Sequence, residues 1–197
     1  MLEGLDAPGA DVGGPASFAW TRIGATERLD VVLTGVGKAN AAGGVAHALD
    51  PARHAGVISL GICGSLPPVS GSGLQLGDVV CATESIYADE GVATPGGFTD
   101  LAAMGFPPGA STTMGIPNDA APARLLAGRA PKEIRVSRGR IATVSTCSGT
   151  DGHAREVVAR TGAVAEAMEG AAIGFTVARL VPGLPFAEVR VVSNTTG

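Results

Sequence analysis

Apolar residues in this chain fall in short unbroken runs rather than in strict alternation. The stretches "LDVVLTGVG" at 29–37 and "AGVISLGICG" at 55–64 are rich in Val, Ile and Leu and end on glycines, as strands covered on both faces do. Between them "KANAAGGVAHAL" has the composition of a helix. "GDVVCATESIYADEG" at 77–91 predicts a third strand entering a loop, "GRIATVSTCSG" at 139–149 a fourth, and "PFAEVRVVSN" at 185–194 a last one, which follows a helix beginning near "AMEGAA". The alternation predicts an α/β fold: a three-layer sandwich whose central sheet is mixed but largely parallel, with helices on its flanks. Ligands of such folds bind beyond the carboxyl ends of the strands, so "GVGKAN", "GICGSL", "YADEGVATPGGF", "CSGTDG" and "SNTTG" are the loops that matter. Residues 91–119 are rich in Gly and Pro with little periodicity, and predict a long surface loop or lid.

Composition narrows the possible partners. The 197 residues suit one domain, 1–197, and no apolar run reaches the ~18 to 20 residues of a membrane span. The opening "MLEGLDAPGADVGG" carries acids where a secretion signal needs basic residues and an apolar core, so a cytoplasmic location is expected. A net charge of −4 gives no attraction to nucleic acid, and the cluster Lys132, Arg135, Arg138 and Arg140 reads as a solvated face. Cys63, Cys81 and Cys147 have no zinc-like spacing and read as buried, reduced thiols. Neither a metal nor a cofactor is expected.

Familiar motifs fail on counting. A P-loop ending at Lys38 needs glycine at Val32 and Ser or Thr at Ala39, and a dinucleotide fingerprint from Gly35 needs glycine at Asn40. His47, His54 and His153 lack partners at diagnostic spacing and read as structural or surface residues. Glu169 stands out. Helical spacing would put it on one stripe with Ile173 and Leu180, burying a charge that something must satisfy. It is either a helix N-terminal acid held by the macrodipole or a ligand for vicinal hydroxyls, with Met168 laid against the same sugar.

The ordered set "GVGKANAA", "GICGSL", "GDVV", "AMEGAA" and "EVRVVSN" resembles the nucleoside phosphorylase and nucleosidase superfamily over about residues 30 to 197. Within it, "ESIYADEGVATPGGFTDLAAMGFP" and the Ser-Asn strand end are most similar to the futalosine hydrolase branch, which releases hypoxanthine on the alternative menaquinone route. The resemblance implies Glu169 and Met168 at the ribose, Gly149, Thr150 and Asp151 lining the purine, Gly64 in the substrate loop, and Phe98 near the 5′ substituent, often of a neighbouring subunit. It therefore implies a purine nucleoside as the small-molecule partner and a homo-oligomeric enzyme. Asn194 stands where adenine-releasing relatives carry Asp; its two N–H donors suit the two acceptors of hypoxanthine, N7 and O6. Ser59 stands where similar phosphorylases carry a phosphate-binding arginine, so water is the expected nucleophile.

The reaction implied is N-glycosidic hydrolysis through an oxocarbenium-like transition state, with Glu169 favouring charge on the sugar and Asn194 accepting the departing purine. Two family elements have no counterpart here: a first strand and helix bearing an acid that orients water, for which Glu3 is a poor substitute, and a last helix. The remaining alternatives are a methylthioadenosine/adenosylhomocysteine nucleosidase and a non-catalytic purine-nucleoside binding protein.

Overall fold

The computed structural model describes residues 29–69, 71–109 and 112–196 together with the backbone of 21–25, so Glu3 lies outside the described residues. A hairpin of β1 (Thr21–Ala25) and β2 (Asp30–Leu33) leads into α1 (Lys38–Ala48). Then come β3 (Val57–Ser65), β4 (Val79–Tyr87), β5 (Gly91–Thr94), β6 (Gly97–Asp100), β7 (Gly115–Pro117) and α2 (Ala121–Arg129). The rest is β8 (Val136–Thr143), α3 (Asp151–Thr161), β9 (Ala165–Ala167), α4 (Gly170–Leu180) and β10 (Phe186–Thr195).

The main sheet runs β10-β3-β9-β8-β4-β7 and is mixed, as expected. The pairs β10–β3, β4–β8 and β8–β9 are parallel; β3–β9, β4–β10 and β4–β7 are antiparallel. It is not an open layer. One edge of β4 is shared in succession: Val79 to Cys81 pair with β10, and Glu84 to Ile86 pair with β7. Because long strands twist, the start of β4 can reach β10 while its end diverges, and five strands close into a barrel-like ring.

The ring is filled by small and medium side chains, Cys63, Val80, Ala82, Ile141, Ala165, Ala167 and Val192. A narrow ring has no room for larger ones. Outside it, Ala142, Val144, Ala154 and Val157 join β8 to α3, while Ala41, Val45, Ile173, Val177 and Phe186 pack α1 and α4 together over β10. Most of β4 is covered on both faces, which suits its unalternating run, whereas β3 leaves Ile58, Leu60 and Ile62 exposed on the face opposite Cys63, against the expectation for that run.

The stretch 91–119 is more ordered than its composition predicts. It contains the β5–β6 hairpin and β7, because Gly91 lets the backbone approach Thr99 and Gly97 takes the turn at a φ of 120°. No helix among the described residues is long and apolar enough to cross a membrane.

Candidate active site

The chain leaves β9 through Met168 and enters α4 at Glu169, which is the residue before the first helical turn and not part of the helical stripe. Ile173 is buried and Leu180 is exposed, so the spacing argument from the sequence fails at Leu180. Glu169 makes no side-chain cap. The Ala171 N–H donates instead to Thr143 Oγ1 of β8 at 2.8 Å, which leaves the carboxylate free to turn away from its own helix. Oε1 accepts the Gly37 N–H at 2.9 Å and Oε2 accepts Arg190 Nη1 at 3.1 Å. Met168 is half-buried beside it, against the β8–α3 cluster.

Arg190 anchors this carboxylate from below. Its side chain is only 4% exposed, and such a buried charge is tolerable only when fully paired. Nε donates to Glu188 Oε1 at 2.8 Å and Nη2 to Ser59 Oγ at 3.1 Å. Glu188 in turn accepts from Ser85 Oγ, which receives a bond from Asn118 Nδ2 at 3.0 Å. Glu188 and Arg190 alternate on one face of β10, so a strand delivers both charges to the same place. Gly170 is the condition for this packing: a Cβ there would lie 1.9 to 2.3 Å from the Glu188 carboxylate atoms.

A second ionic group ties the loops together. Lys38, the first residue of α1, pairs with Asp89 and, at 2.9 Å, with Glu90, and its ammonium lies 5.2 Å from the Tyr87 ring centroid. Tyr87 stacks on Phe175 of α4, centroids 5.4 Å apart. Asp89 Oδ2 also accepts the Ser145 N–H at 2.5 Å, fastening the loop after β8 to the end of β4. Cys147 on that loop is exposed, a correction to the expectation that all three thiols are buried; Cys63 and Cys81 are. Partial burial and then the charges of Glu166, Glu169 and Asp89 push the Cys147 thiol above its ordinary range.

Asn194 projects from β10 just past a bulge, opposite Gly64 of β3. Its Nδ2 donates to the Thr195 carbonyl at 3.1 Å and its Oδ1 accepts from Ser193 Oγ at 2.9 Å. A Cβ on Gly64 would lie 2.7 Å from the Thr196 methyl, 3.2 Å from Asn194 Nδ2 and 3.6 Å from Glu166 Cγ, so these side chains flank the same glycine. Glu166 is 3% exposed and accepts the Ser148 N–H at 2.6 Å and Ser148 Oγ at 2.7 Å.

The remaining sequence candidates have local duties. Thr150 caps α3 by accepting the His153 N–H at 3.3 Å, Asp151 is exposed and pairs with Arg155, and Gly149 is exposed on the same loop. Phe98 packs within its own chain, 4.8 Å from the Arg160 guanidinium. Ser59 is buried under Arg190. Arg135 and Arg140 of the basic cluster are exposed and paired with Asp78 and Glu84. A cleft of about 330 Å³ lined by Ile116, Ala178 and Leu184 opens at the far end of α4 and meets the network only through Asn118. Sequence reasoning passed over Arg190, Glu188, Glu166 and the Lys38–Asp89 pair. The signal for the first two was present: charges at alternate positions inside an apolar strand.

The family model described as the phosphorylase superfamily matches residues 6–197. A curated relative, futalosine hydrolase of Acidothermus cellulolyticus, is 37% identical, with 97% of this chain and 74% of that protein covered. Among solved structures, the methylthioadenosine/adenosylhomocysteine nucleosidase of Colwellia psychrerythraea in complex with adenine is 25% identical with a TM-score of 0.68, over 85% of this chain and 66% of that one. The corresponding nucleosidase of Neisseria meningitidis with methylthio-immucillin-A is 28% identical with a TM-score of 0.67, over 84% and 67%.

Proposed function

The chain belongs to the phosphorylase superfamily, and on that footing we propose that it is an N-glycosyl hydrolase which releases hypoxanthine from futalosine, a step of menaquinone biosynthesis. The observation that carries the reading is the carboxylate of Glu169. It is fixed from one side by the Gly37 N–H and from the other by Arg190, yet 15% of its side chain remains open. Each carboxylate oxygen has a second lone pair, so both ribose hydroxyls can still be accepted. Met168 lies against the sugar, the loop 147–151 borders the purine, Gly64 belongs to the substrate loop, and Phe98 serves the 5′ end. Water attacks C1′ as the bond to the purine breaks, its oxygen bonding to the sugar as hydroxyl and its released proton ending on the purine, which leaves as neutral hypoxanthine. Electron density passes to the base, where Asn194 amide donors receive it, and Glu169 favours positive charge on the sugar.

Ser59 supports hydrolysis over phosphorolysis. It brings no cation, and the guanidinium above it already donates to Glu188, Glu169 and Ser59. The test is incubation with futalosine, inosine and methylthioadenosine in phosphate-free buffer, with detection of free base. Release of hypoxanthine from futalosine is expected. A strict requirement for phosphate, with a ribose 1-phosphate product, would overturn the hydrolase, and release of adenine from methylthioadenosine alone would favour the adenine-specific alternative.

A further inference from the structure

Glu166 is a buried carboxylate that the mechanism above leaves unused. Among the described residues its hydrogen-bond partners are the two donors of Ser148, and no cation is paired with it. A carboxylate out of water without a cation calls for further donors, and each of its oxygens keeps a lone pair for one. It stands in β9 three residues before Glu169, no more than about 10 Å along extended chain, the scale of a nucleoside. Its Cγ and the Asn194 amide nitrogen flank Gly64, both within 3.6 Å of where a Cβ on that glycine would stand.

On the nucleosidase reading, we propose that Glu166 reads the base by accepting the N1–H of a 6-oxopurine. The edge of hypoxanthine presents N7 and O6 as acceptors and N1–H as a donor. Asn194 offers two donors on one side and Glu166 an acceptor on the other, so the whole edge is matched. Adenine reverses the last two positions: its 6-amino group donates and its N1 is a bare acceptor. A lone pair facing the Glu166 carboxylate is repelled and left unpaired. Ser148 gives both of its donors to Glu166, which keeps the carboxylate in place and makes this wall accepting. Glu166 therefore selects the 6-oxopurine, whereas Asn194 also supports the leaving group.

The experiment compares kcat/KM on inosine and on methylthioadenosine, and binding of free hypoxanthine and adenine by calorimetry, in wild type, Glu166→Gln and Ser148→Ala, each checked for folding by circular dichroism. Glu166→Gln is expected to move the hypoxanthine-to-adenine ratio toward adenine by at least about tenfold, since its amide can donate to adenine N1. Ser148→Ala, which disturbs the loop but keeps the carboxylate, is expected to lower both substrates alike. An equal loss on both bases in Glu166→Gln would make the residue a loop brace and overturn the proposal. Wild type alone supplies a check independent of folding. 1-Methylinosine, which has no hydrogen on N1, should react at least about tenfold less well than inosine, and equal rates would also overturn it. A wild type that prefers adenine nucleosides refutes the underlying futalosine reading before any variant is compared.

Discussion

Arg190 and Glu169 meet at 3.1 Å across a boundary: the guanidinium side chain is 4% exposed, the carboxylate 15%. The cation is sealed beneath and the anion faces outward. Two carboxylates share this one cation, Glu188 from within and Glu169 from the site side, and the N-terminus of α4 adds its partial positive charge at Glu169. Glu169 is thereby held in place with its outer side still open. On the proposed mechanism that combination is an advantage, because an acceptor held in place before reaction reorganises little as charge appears on the sugar.

Glu169→Gln is expected to fold and to lose more than ~100-fold in kcat/KM, the scale of one lost transition-state contact. Folding survives because Arg190 keeps Glu188 at 2.8 Å and is not left unpaired. Base release from futalosine, with circular dichroism as the control, measures both. An unchanged rate would remove Glu169 from the chemistry.

Gly170→Ala tests the floor of the site. As a plain helix substitution it would stabilise by about 1 kcal/mol. Here the new methyl would meet the Glu188 carboxylate at 1.9 to 2.3 Å, and that carboxylate is fully buried and bound to Ser85 and Arg190. Overpacking of this kind costs about 1 to 3 kcal/mol, so net destabilisation is expected in urea unfolding, together with reduced activity as Arg190 shifts under Glu169. A more stable protein with full activity would mean that Glu188 does not occupy this place.

Much of this arrangement could be read from the chain before folding. The runs at 29–37, 55–64 and 77–91 became β2, β3 and β4 because Val- and Ile-rich runs ending on glycines carry a strand signal in their own composition, while the exposure of Ile58, Leu60 and Ile62 on β3 left no mark there. The stretch 91–119 hid its hairpin because glycines that permit a tight turn also erase periodicity. Ring closure between β4 and β10 is a pairing of segments more than a hundred residues apart and leaves no mark in either one. In the site, Glu169 drew attention as a lone acid among alanines, but its setting did not, since Gly37, Arg190 and Ser59 come from three distant elements. The helical stripe through Leu180 misled because Glu169 belongs to the turn before the helix.

Cys147 offers a reporter on the site. Partial burial and the neighbouring charges of Glu166, Glu169 and Asp89 raise its pKa from an ordinary 9.0, so at pH 8 less thiolate is present than in a free cysteine. Alkylation by iodoacetamide should therefore be slow at pH 8 and climb as the pH passes above the ordinary thiol value. Glu169→Gln, which removes one of the three charges, should speed it at fixed pH, and a saturating purine nucleoside should slow it. Labelling as fast as a free thiol, indifferent to ligand, would place Cys147 away from the nucleoside.

Asn194 carries the last prediction. Its amide flanks Gly64 together with Glu166, and among the described residues its hydrogen-bond partners are its strand neighbours, Ser193 and the Thr195 carbonyl, both of which a ligand can replace. If the amide donates to N7 and O6, Asn194→Asp presents an ionised carboxylate to two acceptors, and a protonated one donates a single bond. Activity on the hypoxanthine nucleoside should fall steeply, because each wrongly paired buried polar group costs about 1 to 3 kcal/mol. Adenine suits the same carboxyl better, one oxygen accepting from the amino group while the protonated one serves N7. The gain on adenine nucleosides should nevertheless stay small while Glu166 still faces N1, and should grow when Asn194→Asp is combined with Glu166→Gln. The measurement is the ratio of kcat/KM for inosine and methylthioadenosine in wild type, both single variants and the double variant. A ratio that Asn194→Asp leaves unmoved would show that Asn194 does not read the base. Strict additivity of the two substitutions would show that the two side chains act on the purine independently, whereas side chains that flank one glycine and read one ring are expected to couple.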